Sequence, residues 1–101
     1  MPKIYEYLGI IIFFYSNEHE PIHVHAKKGG CESKAEFHIV EGKIEKISIK
    51  KIKGKKPMKG NDLKEFSSFL GEYAESIVDK WVDYFVYHKT INCERISKRI
   101  K

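Results

Sequence analysis

The stretch that decides the fold is Ile22-His23-Val24-His25-Ala26-Lys27-Lys28-Gly29-Gly30-Cys31-Glu32-Ser33-Lys34-Ala35-Glu36-Phe37. Apolar and polar residues alternate on both sides of Gly29-Gly30, which is the period-two pattern of half-buried strands. Glycine tolerates the positive φ angles that a two-residue hairpin turn requires. The sequence therefore predicts a β-hairpin that turns at the two glycines.

The turn also predicts the register of the hairpin. The predicted pairs are Lys28 with Cys31, Lys27 with Glu32, His25 with Lys34, Val24 with Ala35, His23 with Glu36 and Ile22 with Phe37. Apolar residues then face apolar residues, and two of the pairs join opposite charges. The residue pattern and the turn chemistry thus agree on one arrangement.

The rest of the chain supplies further strands and a helix. Residues 4–15 are apolar on both faces, which predicts one central strand. Residues 44–52 predict another strand after a turn at Glu41-Gly42, with a β-bulge at Gly42 that returns Ile47 and Ile49 to the core face. We expect an α+β fold, an antiparallel meander of about four strands with a long C-terminal helix packed on one face.

The helix is predicted from apolar residues that recur every three or four positions. They are Leu63, Phe66, Leu70, Tyr73, Ile77, Trp81 and Phe85. Asn61 or Asp62 is suited to cap its start, and Gly71 marks a point where it would bend or break.

The chain length predicts one domain over residues 1–101. We expect an antiparallel sheet in 1–52, a basic loop in 53–60, the helix in 61–88 and a basic tail in 89–101. The tail would be frayed or would dock on a partner. The core is modest at this size, so a dimer or a bound partner would add stability.

Composition and charge narrow the class of protein. The net charge of +5 suggests a polyanionic or acidic partner, although a generally lysine-rich composition explains it as well. Cys31 and Cys93 are far apart, which indicates free thiols in a reducing compartment. No signal peptide or membrane-spanning run is visible, so we expect a cytoplasmic protein without membrane contact.

Histidines carry the concentrated chemistry of the sequence. His23 and His25, at alternate positions of one strand, project from one face about 6–7 Å apart at Cα. Such a pair can act as acid and base, or can hold a divalent metal together with Glu36 across the hairpin. His19 precedes the strand and could fold back towards the pair. An outward strand face that carries two histidines by chance is the alternative.

Lysines form a second candidate feature. The cluster lies at the end of the fourth predicted strand and in the loop after it, and would contact nucleic-acid phosphates without reading sequence. Its members are Lys50, Lys51, Lys53, Lys55 and Lys56. No aromatic residue interleaves with them to stack on bases, and a solvated loop is the alternative.

The block Glu18-His19-Glu20-Pro21-Ile22-His23-Val24-His25-Ala26, with Met1-Pro2, Gly9-Ile10, Gly29-Gly30 and Lys80-Trp81, resembles the bacterial domain-of-unknown-function family 4160. Glu18 stands where that family usually has Asp, and Ile22 replaces its second Pro. The resemblance implies the toxin half of a type II toxin–antitoxin pair, called a dihistidine toxin, with His23 and His25 as its paired histidines. It also implies a small antitoxin protein as partner.

Three functional hypotheses follow from these observations, and the third makes the histidines a structural metal site. The first is a toxin that acts through the histidine pair as a nuclease or another phosphoryl-centred enzyme, with or without a metal. The second is a non-enzymatic basic module that docks an acidic protein or nucleic acid.

Overall fold

The antiparallel hairpin is the centre of a larger sheet in the computed structural model, which describes residues 2–15 and 22–100. The elements are β1 (Lys3–Tyr7), β2 (Ile10–Phe13), β3 (His23–Lys28), β4 (Cys31–Val40), β5 (Lys43–Lys51), α1 (Gly60–Phe85) and β6 (Glu94–Ile96). The strands form one six-stranded sheet in the order β5-β4-β3-β2-β1-β6. The α+β class is confirmed, whereas the expectation of a purely antiparallel four-stranded meander was wrong, because β6 pairs parallel with β1.

The β3–β4 hairpin has the predicted register. Gly29 and Gly30 have φ angles of 58° and 82°, as a tight hairpin turn requires. All five predicted pairs from Lys28–Cys31 to His23–Glu36 are present. The sixth continues the ladder, because the Phe37 backbone N–H donates to the Ile22 carbonyl at 2.8 Å.

The single strand predicted over residues 4–15 is in fact two strands. The chain reverses at Leu8 and Gly9, whose φ angles are 49° and 85°, so that β1 and β2 pair with each other antiparallel. The turn escaped the sequence analysis because the residues around it are apolar and only Gly9 marks it. The reversal adds one strand and moves β1 to the outer part of the sheet.

The β4–β5 pairing contains a bulge, as expected, but at a different place. The turn at Glu41-Gly42 is tight, with Val40 opposite Lys43, and leaves no room for an extra residue. The register shifts instead between His38 and Ile39. The shift returns Ile47 and Ile49 to the core face, opposite Phe37 and Ala35 respectively.

Helix α1 has 26 residues and continues through Gly71. It starts and ends earlier than the predicted span 61–88, and Lys59 is its N-cap residue, without a side-chain capping bond. Asp62, a predicted cap, instead pairs with Lys28 at 3.1 Å. The buried helix residues pack on the sheet, and they are Phe66, Phe69, Leu70, Ile77 and Trp81. No helix among the described residues is long and apolar enough to cross a membrane.

The basic tail docks on the chain itself, contrary to the expectation that it is frayed or docks on a partner. Its strand β6 lies beside β1, where Arg95 pairs with Glu6 at 2.9 Å. Further along, the Ile100 backbone N–H donates to the Tyr7 hydroxyl at 2.9 Å. The tail therefore covers one edge of the sheet.

We expect Gly9→Ala to lower the free energy of unfolding by about 1–2 kcal/mol, because any residue with a Cβ is strained at a φ of 85°. The new Cβ would also lie 3.3 Å from Lys28 Cε. Gly71→Ala is the matched control, since apart from the adjoining helix backbone no described atom lies within 4 Å of a Cβ at this position. That change in the helix interior should stabilise by about 0.5–1 kcal/mol. Urea denaturation of both variants measures the two effects. If both substitutions raised the free energy of unfolding, or both lowered it, the turn assigned at Gly9 would be contradicted.

Candidate functional site

The predicted histidine pair lies on the face of the sheet opposite α1. One face carries the core side chains, such as Ile12, Val24 and Ala35, against the helix. The intervening residues, including Phe13, His23 and His25, project from the other face, since side chains alternate along a strand. The candidate site is therefore on the sheet and is separate from the helix interface.

The two imidazoles are close together and buried. Their ring centroids are 5.1 Å apart, and His23 and His25 are only 7% and 3% exposed. Phe13 stacks on His25 at 5.5 Å between centroids, and Tyr15 packs edge-on against it at 4.4 Å. The pair thus sits in an aromatic environment, a role for Phe13 and Tyr15 that the sequence analysis missed.

Among the described residues, Glu32 is a carboxylate that contacts the histidine pair. Its Oε2 lies 3.5 Å from His25 Nδ1 and accepts a 3.1 Å hydrogen bond from the Tyr15 hydroxyl. Its Oε1 lies 3.8 Å from Lys55 Nζ. Glu32 was predicted only as the partner of Lys27, but it is the diagonal neighbour of His25, and long side chains reach across that diagonal.

Glu36, the predicted site carboxylate, is directly opposite His23 as expected but is held by lysines. Lys50 Nζ is 2.8 Å from its Oε1, and Lys34 Nζ is 3.6 Å from its Oε2. The hydrogen bond from Lys50 keeps the pKa of Glu36 below its ordinary value, against the opposing effect of desolvation. Glu36 is therefore an ionised, paired carboxylate and is poorly suited to act as a base.

The predicted metal set is not assembled in this arrangement. Within residues 2–15 and 22–100, no group of three His, Cys, Asp or Glu side chains is placed to hold a metal ion. The metal role of His23, His25 and Glu36 stays a prediction that the observed geometry does not support.

Neither Cys31 nor Cys93 is in a disulfide, as expected for free thiols.

The other histidines lie apart from the pair. His19 is outside the described residues. His38 is exposed on β4, with its Nε2 3.4 Å from the Ser48 hydroxyl. His88 is exposed beyond the end of α1.

The structure brings part of the predicted lysine cluster to the histidine site. The segment after β5 folds back on β4, where the Glu32 backbone N–H donates to the Lys56 carbonyl at 2.8 Å. Lys55 thereby reaches Glu32, and Lys50 reaches Glu36. Lys51 pairs in register with Ser33, which belongs to the core face. Lys53 and Lys56 are exposed, and neither has a carboxylate within 4.0 Å among the described residues.

A pocket of about 420 Å³ opens beside Glu32. Its lining residues are Ile11, Lys27, Lys28, Gly29, Gly30, Cys31, Glu32 and Lys55. Lysine ammonium groups outnumber carboxylates in this lining, so the pocket favours an anion. Glu32 lines the pocket and also contacts His25, so this side chain links the pocket to the histidine pair.

We expect Lys50→Met to raise the pKa of Glu36 towards its ordinary value of 4.5, because the variant removes the principal hydrogen bond to the carboxylate. A depressed folded-state pKa adds stability above the unfolded-state pKa, and this stability is lost as the pH falls through the folded value. The variant should therefore lose less stability on acidification below about pH 4.5. NMR titration of the Glu36 side-chain carbon measures the shift. Lys51→Met is the control, and an equal shift there would contradict the assignment.

Comparison with known proteins gives one match. The sequence model of the family described as domain of unknown function (DUF4160) matches residues 9–82. This span includes the histidine pair, Glu32, Glu36, the lysine segment and most of α1. No curated protein and no solved structure gives a significant match. The chain belongs to the DUF4160 family of domains of unknown function.

Proposed function

We propose that this protein is the toxin of a two-protein bacterial toxin–antitoxin system, and that it acts on a phosphodiester substrate through His23 and His25. The observation that carries the proposal is that three kinds of functional group, imidazole, carboxylate and ammonium, contact one another on this face of the sheet. The imidazole pair, the Glu32 carboxylate and the Lys55 ammonium form a continuous chain of contacts.

Each group has a distinct task in the proposed chemistry. Glu32 Oε2 lies 3.5 Å from His25 Nδ1 without a hydrogen bond between them, and its charge would attract a proton on Nδ1 and so favour Nε2 as the basic nitrogen. One histidine would take a proton from the attacking hydroxyl or water, and the other would give a proton to the leaving oxygen. Lys27 and Lys55, at the pocket, would attract the substrate phosphates. A version with a divalent metal would need a ligand other than Glu36, because two lysines already hold that carboxylate.

The His23→Ala, His25→Ala double variant should abolish growth inhibition on induced expression, because acid–base catalysis contributes about 10²–10⁴-fold in rate. Undiminished toxicity would contradict the catalytic proposal. His38→Ala is the matched control on the exposed end of β4 and should stay toxic.

Glu32→Gln separates chemistry from folding, because it keeps the shape of a side chain that is 7% exposed. We expect about 10–100-fold weaker activity, as for other groups that orient a functional imidazole. Circular dichroism melting should show that the variant is folded. A folded Glu32→Gln variant with parental activity would exclude the orienting role.

A second candidate function is binding without catalysis, in which the basic surface docks nucleic acid or an acidic protein. The observation that favours it is the contrast between the buried imidazoles and the exposed lysines Lys53, Lys55 and Lys56. Substrate reaches the imidazoles only if the surface over them opens, whereas the lysines need no such opening.

Salt titration distinguishes the two candidates. If binding is the function, single-stranded RNA should bind with an affinity that falls steeply with salt, with a log–log slope reduced by about 0.7 for each lost lysine contact. Lys53→Ala and Lys56→Ala should show this reduction. The His23→Ala, His25→Ala variant should then bind RNA like the parent, and strong loss of RNA binding in that variant would argue against the binding-only candidate.

A further inference from the structure

Strand β5 is an open edge of the sheet. It is nine residues long (Lys43–Lys51) and is first in the strand order, and β4 is its one neighbouring strand within residues 2–15 and 22–100. The opposite edge is covered by β6. Within the described residues, β5 is therefore the long strand that still offers backbone groups to another chain.

The outward backbone groups of this edge can be assigned from the ladder. The Phe37 N–H donates towards Ile22, on the β3 side of β4. On its other side, β4 places Phe37 opposite Ile47. Because the Phe37 N–H points towards β3, Phe37 and Ile47 do not hydrogen-bond each other, and the Ile47 N–H points away from β4. The same holds two residues on for Ile49. These two amides are the donors that an added strand would use.

The edge is strongly basic. Strand β5 contains one acidic residue, Glu45, and four lysines, which are Lys43, Lys46, Lys50 and Lys51. Only Lys50 has a carboxylate within 4.0 Å among the described residues. Uncompensated lysines on an edge oppose pairing with a like-charged strand.

A second copy of this chain is therefore a poor occupant. In the symmetric antiparallel register centred on Ile47, Lys43 would face Lys51 at both ends of the pair. Like charges directly opposite each other are destabilising. The edge instead suits a strand that carries carboxylates.

The two faces beside the edge differ in chemistry. On the histidine face, β5 presents Lys46, Ser48 and Lys50, which pair with β4 residues of that face. On the helix face, Ile39, Ile44, Ala74 and Val78 line an open groove of about 730 Å³. Glu72, Glu75 and Asp79 also line this groove and would repel a carboxylate there.

We propose that the β5 edge binds an extended segment of a protein partner, in which acidic and apolar residues alternate. The segment adds a seventh strand to the sheet. Its carboxylates lie over the lysines of the histidine face, and its apolar side chains lie against the groove. The inference rests on the proposed function in one respect, which is that the antitoxin is taken as the protein that supplies this segment.

The test uses the full chain and a synthetic peptide of alternating valine and glutamate as the probe. We expect saturable binding by NMR, with slowed hydrogen exchange of the Ile47 and Ile49 amides. Shift changes confined to residues 53–56, without slowed exchange on β5, would overturn the proposal. A peptide of alternating valine and lysine should not bind. Peptide-induced dimerisation would also count against this docking mode.

Two charge-reversal variants test whether lysines on β5 attract the acidic side chains of the partner segment. Lys46→Glu should weaken peptide binding about fivefold, because an exposed attraction becomes a repulsion of similar size. Lys53→Glu carries the same charge change outside the strand and should weaken binding less than twofold. Equal effects would show that only net charge matters. Because neither measurement involves toxicity or catalysis, the proposed function and this docking site can fail independently.

Discussion

The register of the β3–β4 hairpin is the constraint on which the rest of the structure depends. Side chains alternate between faces, so a slip of one residue would move every buried group to the opposite face. Gly29 and Gly30 prevent that slip, because both adopt the positive φ angles of a two-residue turn. With the turn fixed, Val24 and Ala35 face the helix, and the histidine pair lies on the other side of the sheet.

On the opposite face, the carboxylates of the candidate site have polar or charged partners, whereas His25 Nδ1 is buried without a hydrogen bond to any described residue. Burying imidazoles and carboxylates is costly unless they are paired. Glu32 meets His25, Tyr15 and Lys55, and Glu36 meets two lysines. Two carboxylates on the same strand thus have different environments, one beside the imidazoles and one among ammonium groups. This difference is why the orienting role is proposed for Glu32 and not for Glu36.

The sequence predicted those features that depend on local pattern. The hairpin followed from the glycine pair and from alternation, and the length of the helix followed from its apolar period. The Leu8-Gly9 turn was missed because apolar residues on both sides hide it. The pairing of β6 with β1 joins residues about 90 positions apart in sequence, and no local pattern signals it. Glu32 was missed because only direct cross-strand partners were considered, whereas the contact with His25 is diagonal.

The central claim is that Glu32 fixes the orientation and proton position of His25. Long-range ¹H–¹⁵N NMR correlation of the histidine rings measures which nitrogen carries the proton. The account predicts that Nδ1 of His25 is protonated towards Glu32 in the parent protein, and that this preference is lost in Glu32→Gln. A His25 ring protonated on Nε2 alone, and unchanged by the substitution, would contradict the account.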